Sequence, residues 1–272
     1  MSVETRIGGP DRWGFATQGF PRRASFRARV TRLVPLRSPQ LDVAEMTRRL
    51  RKFGLFEHVP PAALRAVAAG ARLRAMCQGE FLWRCGDPAR EMVLIGSGFV
   101  KASRRNLNGT SKTYGLFGPG DSMGLYAFWS GMHYPTDAIA LNEGVILIIL
   151  DAGEISDLAE QHPQLSKNML TEVTRFSEAF INKIEIISAD SVQKRLAVLL
   201  LQLVSRYGVD RRGEQARVPA FLTLKQISEI IDTRIETVAR SLSPWKRAGW
   251  IVIDAHGWRF NCLDKLRELL HG

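Results

Sequence analysis

Thr223-Leu224-Lys225-Gln226-Ile227-Ser228-Glu229-Ile230-Ile231-Asp232-Thr233-Arg234-Ile235-Glu236-Thr237-Val238-Ala239-Arg240 is the stretch that decides the fold. Thr223 and Gln226 fit a capping box, in which the hydroxyl accepts the N3 amide and the glutamine reaches back to the cap's own amide. The helix that opens there runs to about Ile231 and buries Ile227, Ile230 and Ile231, with Asp232 taking the turn. Thr233-Arg234-Ile235-Glu236 repeats the box, so Thr233 is expected to cap a second helix. Two short capped helices joined by a tight turn describe a helix-turn-helix, whose second helix offers its N-terminal residues to base edges in a major groove.

The second helix separates its faces. Val238, Leu242 and Trp245 recur at i, i+4, i+7 and face inward, while Ile235, Glu236, Ala239 and Arg240 lie on another side. Arg240 can grip guanine O6 and N7, and Glu236 can accept from a cytosine amine. An ordinary i,i+4 surface pair, or a Glu236 that only closes its box, fits the spacing equally well. Thr223, at the start of the first helix, suits a phosphate contact. Pro244 forfeits a helical hydrogen bond and should kink or end the second helix. Gly249–Ile253 and Trp258–Phe260 then read as strands around Asp254-Ala255-His256-Gly257, a wing, and Leu263–Leu270 closes the module as a helix.

Upstream, Gly208–Gly213 reads as a polar loop and Val192–Tyr207 as a helix capped by Asp190 or Ser191. Leu165, Met169, Val173, Phe176, Phe180, Ile184 and Ile187 are spaced like a heptad stripe, which predicts a helix pairing two copies of the chain. Before Pro163, strand-length apolar runs alternate with Gly, Asn and Asp turns, among them Asn108-Gly109 and Gly118-Pro119-Gly120-Asp121. That rhythm indicates an antiparallel sandwich or roll. Helical spacing covers Val43–Phe53 and Ala62–Leu73.

Charge is segregated along the chain. Of the net +11, residues 1–40 carry eight Arg against Glu4 and Asp11, the middle is neutral, and the basic excess returns after residue 190. Basic ends on a neutral body suit a polyanion such as DNA. The first forty residues, Arg-rich and broken by Pro10, Pro21, Pro35 and Pro39, have the composition of a disordered tail and also resemble a transit peptide. No apolar run has the length of a membrane span. Cys77, Cys85 and Cys262 form no zinc or disulfide pattern, so a soluble protein of the reducing cytoplasm is expected. Neither a Gly-rich phosphate loop, a paired-His metal motif nor a GxSxG elbow is present, which argues against an enzyme.

From about residue 45 to 270 the chain resembles the Crp/Fnr family of bacterial regulators. The residues that carry the likeness are Gly79-Glu80, Gly86-Asp87-Pro88, Ile95–Lys101, Phe117–Asp121, Arg195-Leu196-Ala197, Leu222-Thr223 and Glu236–Arg240. The resemblance implies an α+β chain: a cyclic-nucleotide-binding-type β-roll (a double-stranded β-helix, or jelly roll), a long dimerisation helix and a C-terminal winged helix-turn-helix. It divides the chain into an extension over 1–40, a sensor over 41–162, the helix over 163–189 and the reader over 190–272. It further implies a homodimeric transcriptional regulator of palindromic DNA, with RNA polymerase as partner and Thr223, Gln226, Thr233, Arg234, Ile235, Glu236, Thr237, Ala239 and Arg240 at the DNA. Ile235 stands where the cyclic-AMP receptor branch has Arg, so the chain is closer to the Fnr and FixK branch, which reads TTGA-type half-sites; Ala239 stands where Fnr has Ser. A fold retained for effector or protein binding without specific DNA binding is the alternative.

The effector is less legible. Positions that hold phosphate and ribose in the cyclic-nucleotide branch align with Gly124-Leu125 and Pro135-Thr136, which lack the needed charges, so cyclic AMP is not expected. Residues 1–76 contain no Cys, which excludes an Fnr-type iron–sulfur cluster of that form. No cofactor is predicted. The remaining readings are no ligand, an apolar ligand near Gly124, Leu125, Phe128, Trp129, Met132, Pro135 and Thr136, or haem on His133, Cys77 or Cys85.

Overall fold

The structure, a computed structural model, describes residues 42–105, 111–131, 133–219, 222–254 and 257–271. The extension before residue 41, the Asn108-Gly109 turn, Met132 and the wing tip at 255–256 lie outside the described residues.

Helices α1 (Val43–Leu50) and α2 (Pro61–Gly70) precede the roll and are joined through a single 3-10 turn at Gly54–Phe56. Strands β1 (Arg72–Met76), β8 (Val145–Asp151), β3 (Glu91–Ser97) and β6 (Ser122–Met123) pair in that order as one antiparallel sheet. Strands β2 (Phe81–Trp83), β7 (Asp137–Ala140), β4 (Val100–Arg105) and β5 (Ser111–Phe117) form the other. Val93, Ile95, Leu147 and Ile149 from the first sheet meet Val100, Ala102, Phe117 and Ala138 from the second in one buried cluster. On β3 and β8 the alternate residues Met92, Leu94, Ile148 and Leu150 face outward yet are also buried, against α1 and α2. These two strands are apolar on both faces, which is why they read as continuous runs rather than as an alternation.

After β8 the sequence reading expected the long helix to begin directly at Pro163. A further helix, α4 (Ala152–Gln161), intervenes, capped by Asp151, whose carboxylate accepts the Glu154 amide at 3.0 Å. The short α3 (Leu125–Trp129) lies between β6 and β7. Helix α5 (Pro163–Ser188) has Pro at its first position and 26 residues, about 39 Å of rise. Ser191 caps α6 (Val192–Tyr207), accepting the Lys194 amide.

Gly208–Gly213 is not the polar loop expected. Val209–Arg212 (β9) and Gln215–Val218 (β10) form a hairpin that joins β11 (Ile251–Asp254) and β12 (Gly257–Phe260) in the order β11-β12-β10-β9. Every residue of β9 is exposed, so as an edge strand it carries no apolar alternation from which to read it. Helices α7 (Leu224–Ile231), α8 (Ile235–Arg247) and α9 (Leu263–His271) complete the reader.

The roll and the reader share a core. Phe99, Leu116 and Leu141 of the roll belong to the cluster built by Leu196, Leu200, Leu203, Ile227, Val238 and Trp258. At its edge the Asp121 carboxylate accepts from the Gly118 amide (2.8 Å), the Tyr207 hydroxyl (2.6 Å) and the Arg206 guanidinium (3.0 and 3.1 Å). Asp121→Ala would leave the buried Tyr207 hydroxyl without its closest acceptor and Arg206 without its counter-charge. We expect it to lower stability by about 2–4 kcal/mol, read by urea unfolding; a loss below about 0.5 kcal/mol would show the contact to be solvent-equivalent.

Candidate nucleic-acid interface

The first helix of the helix-turn-helix opens as the sequence requires. Thr223 Oγ1 accepts the Gln226 amide at 3.2 Å, and Gln226 Oε1 accepts the Thr223 amide at 2.8 Å. Gln226 was expected at the DNA, but its side chain is committed elsewhere: while Oε1 closes the box, Nε2 donates to the Leu141 carbonyl of the roll at 3.1 Å. Asp232 ends α7 in the left-handed region (φ 55°, ψ 58°), a conformation that a short polar side chain tolerates.

The second box does not form. Thr233 donates its amide to the Ser228 carbonyl at 3.0 Å, completing the exit of α7. The residue is therefore spent on closing one helix, and Arg234 becomes the N-cap of the next, with no side-chain cap. Nor does Pro244 end α8. The helix continues to Arg247, because Trp245 beyond the proline is buried at 3% exposure and the Pro244 carbonyl still accepts from Ala248 at 2.9 Å.

Val238, Ser241, Leu242 and Trp245 hold α8 in the core. Arg234, Ile235, Glu236 and Arg240 are exposed, whereas Thr233, Thr237 and Ala239 are half-buried. Among the described residues no ion pair joins Glu236 to Arg240; the charged pairs near this module run between Lys101 and Glu229, Lys112 and Asp232, and Arg217 and Asp254. Exposed Lys225, Lys246, Arg247 and Arg259 add positive charge to the module. The surface offers one carboxylate, two guanidinium groups and one apolar side chain within about two helical turns, inside a basic field. That composition has the donors, acceptor and positive charge that suit base edges and phosphates.

The stripe expected to pair two chains is divided. Leu165 and Met169 are 0% exposed, packed among the α1 and α2 side chains, with Val173 packed against the same cluster. Phe176 stacks between Phe117 and Tyr126 at centroid distances of 5.9 and 5.6 Å, and Phe180 meets Tyr114 edge-on. All five pack α5 on its own roll, Leu165 and Met169 fully buried and Val173, Phe176 and Phe180 half-buried. Ile184 and Ile187 are exposed, and so are Leu170 and Ile181, which the sequence reading missed. Leu170, Thr174, Ser177, Ile181 and Ile184 also repeat at 4, 3, 4 and 3, but two polar members hid the pattern behind the more apolar one.

The expected effector positions do not converge. Leu125 is buried toward α1 and α2 rather than into the roll, whose interior holds Trp83, Met123, Ala127 and Tyr134 in its place. Gly124 packs on the β3 backbone, where a Cβ would come within 2.6 Å of the Glu91 carbonyl. Phe128 is half-buried, Trp129 and Pro135 are exposed, and Thr136 is buried. A cyclic nucleotide needs a cation at its phosphate and an acceptor at its ribose. Leu125 and Pro135 supply neither, so the residues present do not fit that ligand. Cys77, Cys85 and His133, the positions considered for haem, are exposed, and no group of three metal-ligating side chains occurs among the described residues.

Comparison with known proteins agrees with this geometry. Residues 73–162 match the cyclic nucleotide-binding domain, and residues 194–269 match the Crp-like helix-turn-helix domain. The chain belongs to the Crp/Fnr family of DNA-binding transcriptional regulators. It is 26% identical over 205 residues to the CRP-like cAMP-activated global transcriptional regulator of Mycobacterium tuberculosis, covering 75% of this chain and 91% of that one. It is 25% identical to the fumarate and nitrate reduction regulatory protein of Escherichia coli, covering 73% and 78%. Among solved structures, FixK2 from Bradyrhizobium japonicum shares the fold at a TM-score of 0.64 and 18% identity, over 73% of this chain and 96% of that one. These curated relatives are regulators, not enzymes. No helix among the described residues is long and apolar enough to cross a membrane.

One titrating group sits where the reader meets the roll. Lys183 of α5 donates to the Ile230 carbonyl at the end of α7, and burial draws its pKa down to about 8; Asp232 opposes the shift and Lys112 and Arg195 add to it. Between about 8 and the ordinary 10.5, the unfolded chain binds a proton that the folded chain does not, so this group makes stability rise with pH across that window. Lys183→Met is expected to remove that rise, seen as a flatter dependence of the urea midpoint on pH; an unchanged slope would place the titration elsewhere.

Proposed function

We propose that the protein binds a TTGA-type palindrome as a homodimer and controls transcription there, with RNA polymerase as the partner the family implies. The observation that carries this reading is the exposed face of α8, where Ile235, Glu236 and Arg240 stand free while Val238, Leu242 and Trp245 anchor the helix. Arg240 takes a guanine through O6 and N7, Glu236 a cytosine amine, and Ile235 the methyl of a thymine. Thr223, exposed at the start of α7, takes a phosphate together with the free amides of that first turn.

Pairing uses the outer face of α5. Leu170, Ile181 and Ile184 are 60%, 56% and 59% exposed, an apolar line on a helix whose opposite side is already covered. Two such helices side by side bring two readers to one duplex, as a palindrome requires. The misfit at Leu125 and Pro135 supports a signal other than cyclic AMP.

Arg240→Ala is expected to cost about 1–3 kcal/mol per half-site and to relax discrimination at one G·C pair, measured by competition between a TTGA palindrome and its single-base variants at fixed salt. Equal loss on specific and non-specific DNA would reduce Arg240 to a phosphate contact. For the dimer, the doubly substituted Ile181→Asp, Ile184→Asp chain should sediment as a 30.5 kDa species with its fold intact, since both positions are already exposed. Retention of the wild-type mass by that variant would remove α5 as the interface.

A further inference from the structure

Two helices join α8 to the roll: α6, through its bonds to Asp121, and α7, which also carries the turn into α8. The principal neighbours of α8 are α6, α7 and β11, whereas α7 packs directly on β5 and α5. At that contact, lysines from separate elements converge on one end of α7. Lys101 of β4 pairs with Glu229 at 2.6 Å, with side-chain exposures of only 12% and 18%. Lys112 of β5 pairs with Asp232 at 3.2 Å. Lys183 of α5 donates to the Ile230 carbonyl. All of these contacts lie on the last turn of α7 or on the left-handed residue that redirects the chain into α8.

The chemistry suits the place. A helix C-terminus carries partial negative charge and unsatisfied carbonyls, so cations bind it favourably. Apolar packing alone is non-directional and would let α7 slide or rotate on the sheet. A single ion pair would act as a pivot. Anchors from three separate elements hold an orientation that one pair cannot, and the Lys101–Glu229 pair is buried enough to be costly to separate.

We propose that Lys101, Lys112 and Lys183 are positioning residues for DNA binding: by gripping the turn of the helix-turn-helix, they set the angle at which the roll presents the recognition helix. In the gripped arrangement that helix faces solvent, so the contact holds a conformer able to read DNA. This rests on the dimeric, palindrome-reading function proposed above, because the angle of each reader decides which half-site spacing the pair can span.

The test uses the full chain. Wild type, Lys101→Gln, Lys183→Gln and the milder Lys112→Gln would be compared by amide hydrogen exchange at residues 230–234 without DNA. They would also be compared by binding to TTGA palindromes of the preferred spacing and of spacings one base pair longer and shorter. Loss of a grip should speed exchange at the turn by about tenfold while the strands β3 and β8 keep their protection. It should also shrink the preference for one spacing, an effect that loss of overall stability would not produce. The exchanged pair Lys101→Glu with Glu229→Lys should restore both readouts relative to Lys101→Glu alone. Unchanged exchange at the turn in all variants, or faster exchange with the spacing preference intact, would overturn the proposal. If wild type failed to bind any palindrome, the reading of the DNA site would fall instead, and the exchange data alone would decide whether the lysines hold the turn.

Discussion

The carboxylate of Asp121 is the contact on which the arrangement of the molecule depends. It ends the Gly118–Asp121 turn of the roll and accepts at once from that turn, from Arg206 and from Tyr207 at the end of α6. Gly118 is required for the approach, since a Cβ there would stand 2.6 Å from the Phe99 ring and 2.7 Å from the Tyr207 ring. Phe99 and Tyr207 meet edge-on at 5.0 Å, and behind them the roll's Leu116 and Leu141 enter the core of the reader. Burial holds the tyrosine hydroxyl neutral, its pKa well above the ordinary value, so it remains a donor to Asp121 at any physiological pH. Roll and reader therefore form a continuous packed body rather than two beads on a linker.

A second consequence concerns α5. One side of the helix is consumed by the roll, with Leu165 and Met169 in the α1–α2 cluster and Phe176 stacked between Phe117 and Tyr126. The other side keeps Leu170, Ile181 and Ile184 in water. A helix with apolar residues on two faces can serve two interfaces, and within a single chain only the richer face is filled. The aromatic stack also couples the helix to α3 and β5. If two copies pair along α5 as proposed, a change in that pairing reaches the roll through this stack and the turn of the reader through Lys183.

The rhythm of strands and turns, the cap at Thr223, a cap at Asp190 or Ser191 and the inward face of α8 were legible in the sequence, because each depends on residues close together in the chain. Alternation, turn residues and capping boxes are local physics. The misreadings have physical causes as well. Thr233 has the chemistry of a cap, but its amide is taken by Ser228 of the preceding helix, so the box shifts out of use. Strand β9 was missed because an exposed edge strand has no buried face to imprint on the sequence, and its partner β10 buries only Ala216 and Val218, too short an alternation to read alone.

The sequence by itself determined that this is a β-roll followed by a long helix and a winged helix-turn-helix, and that its reader exposes a glutamate and an arginine one turn apart. Hydrophobic periodicity and capping chemistry, which act over short separations in the chain, give an antiparallel sandwich or roll, the long helix and the winged helix-turn-helix; the choice of the roll is what the resemblance to the Crp/Fnr family implies. Tertiary structure alone decided which side of α5 is free, that Leu125 turns away from the roll's interior, and that Gln226 is tied to Leu141. It alone brought Lys101, Lys112 and Lys183 to the end of α7. Those lysines lie 128, 120 and 47 positions from their partners, a separation over which no local pattern survives and only the packing of the roll against the reader sets who meets whom.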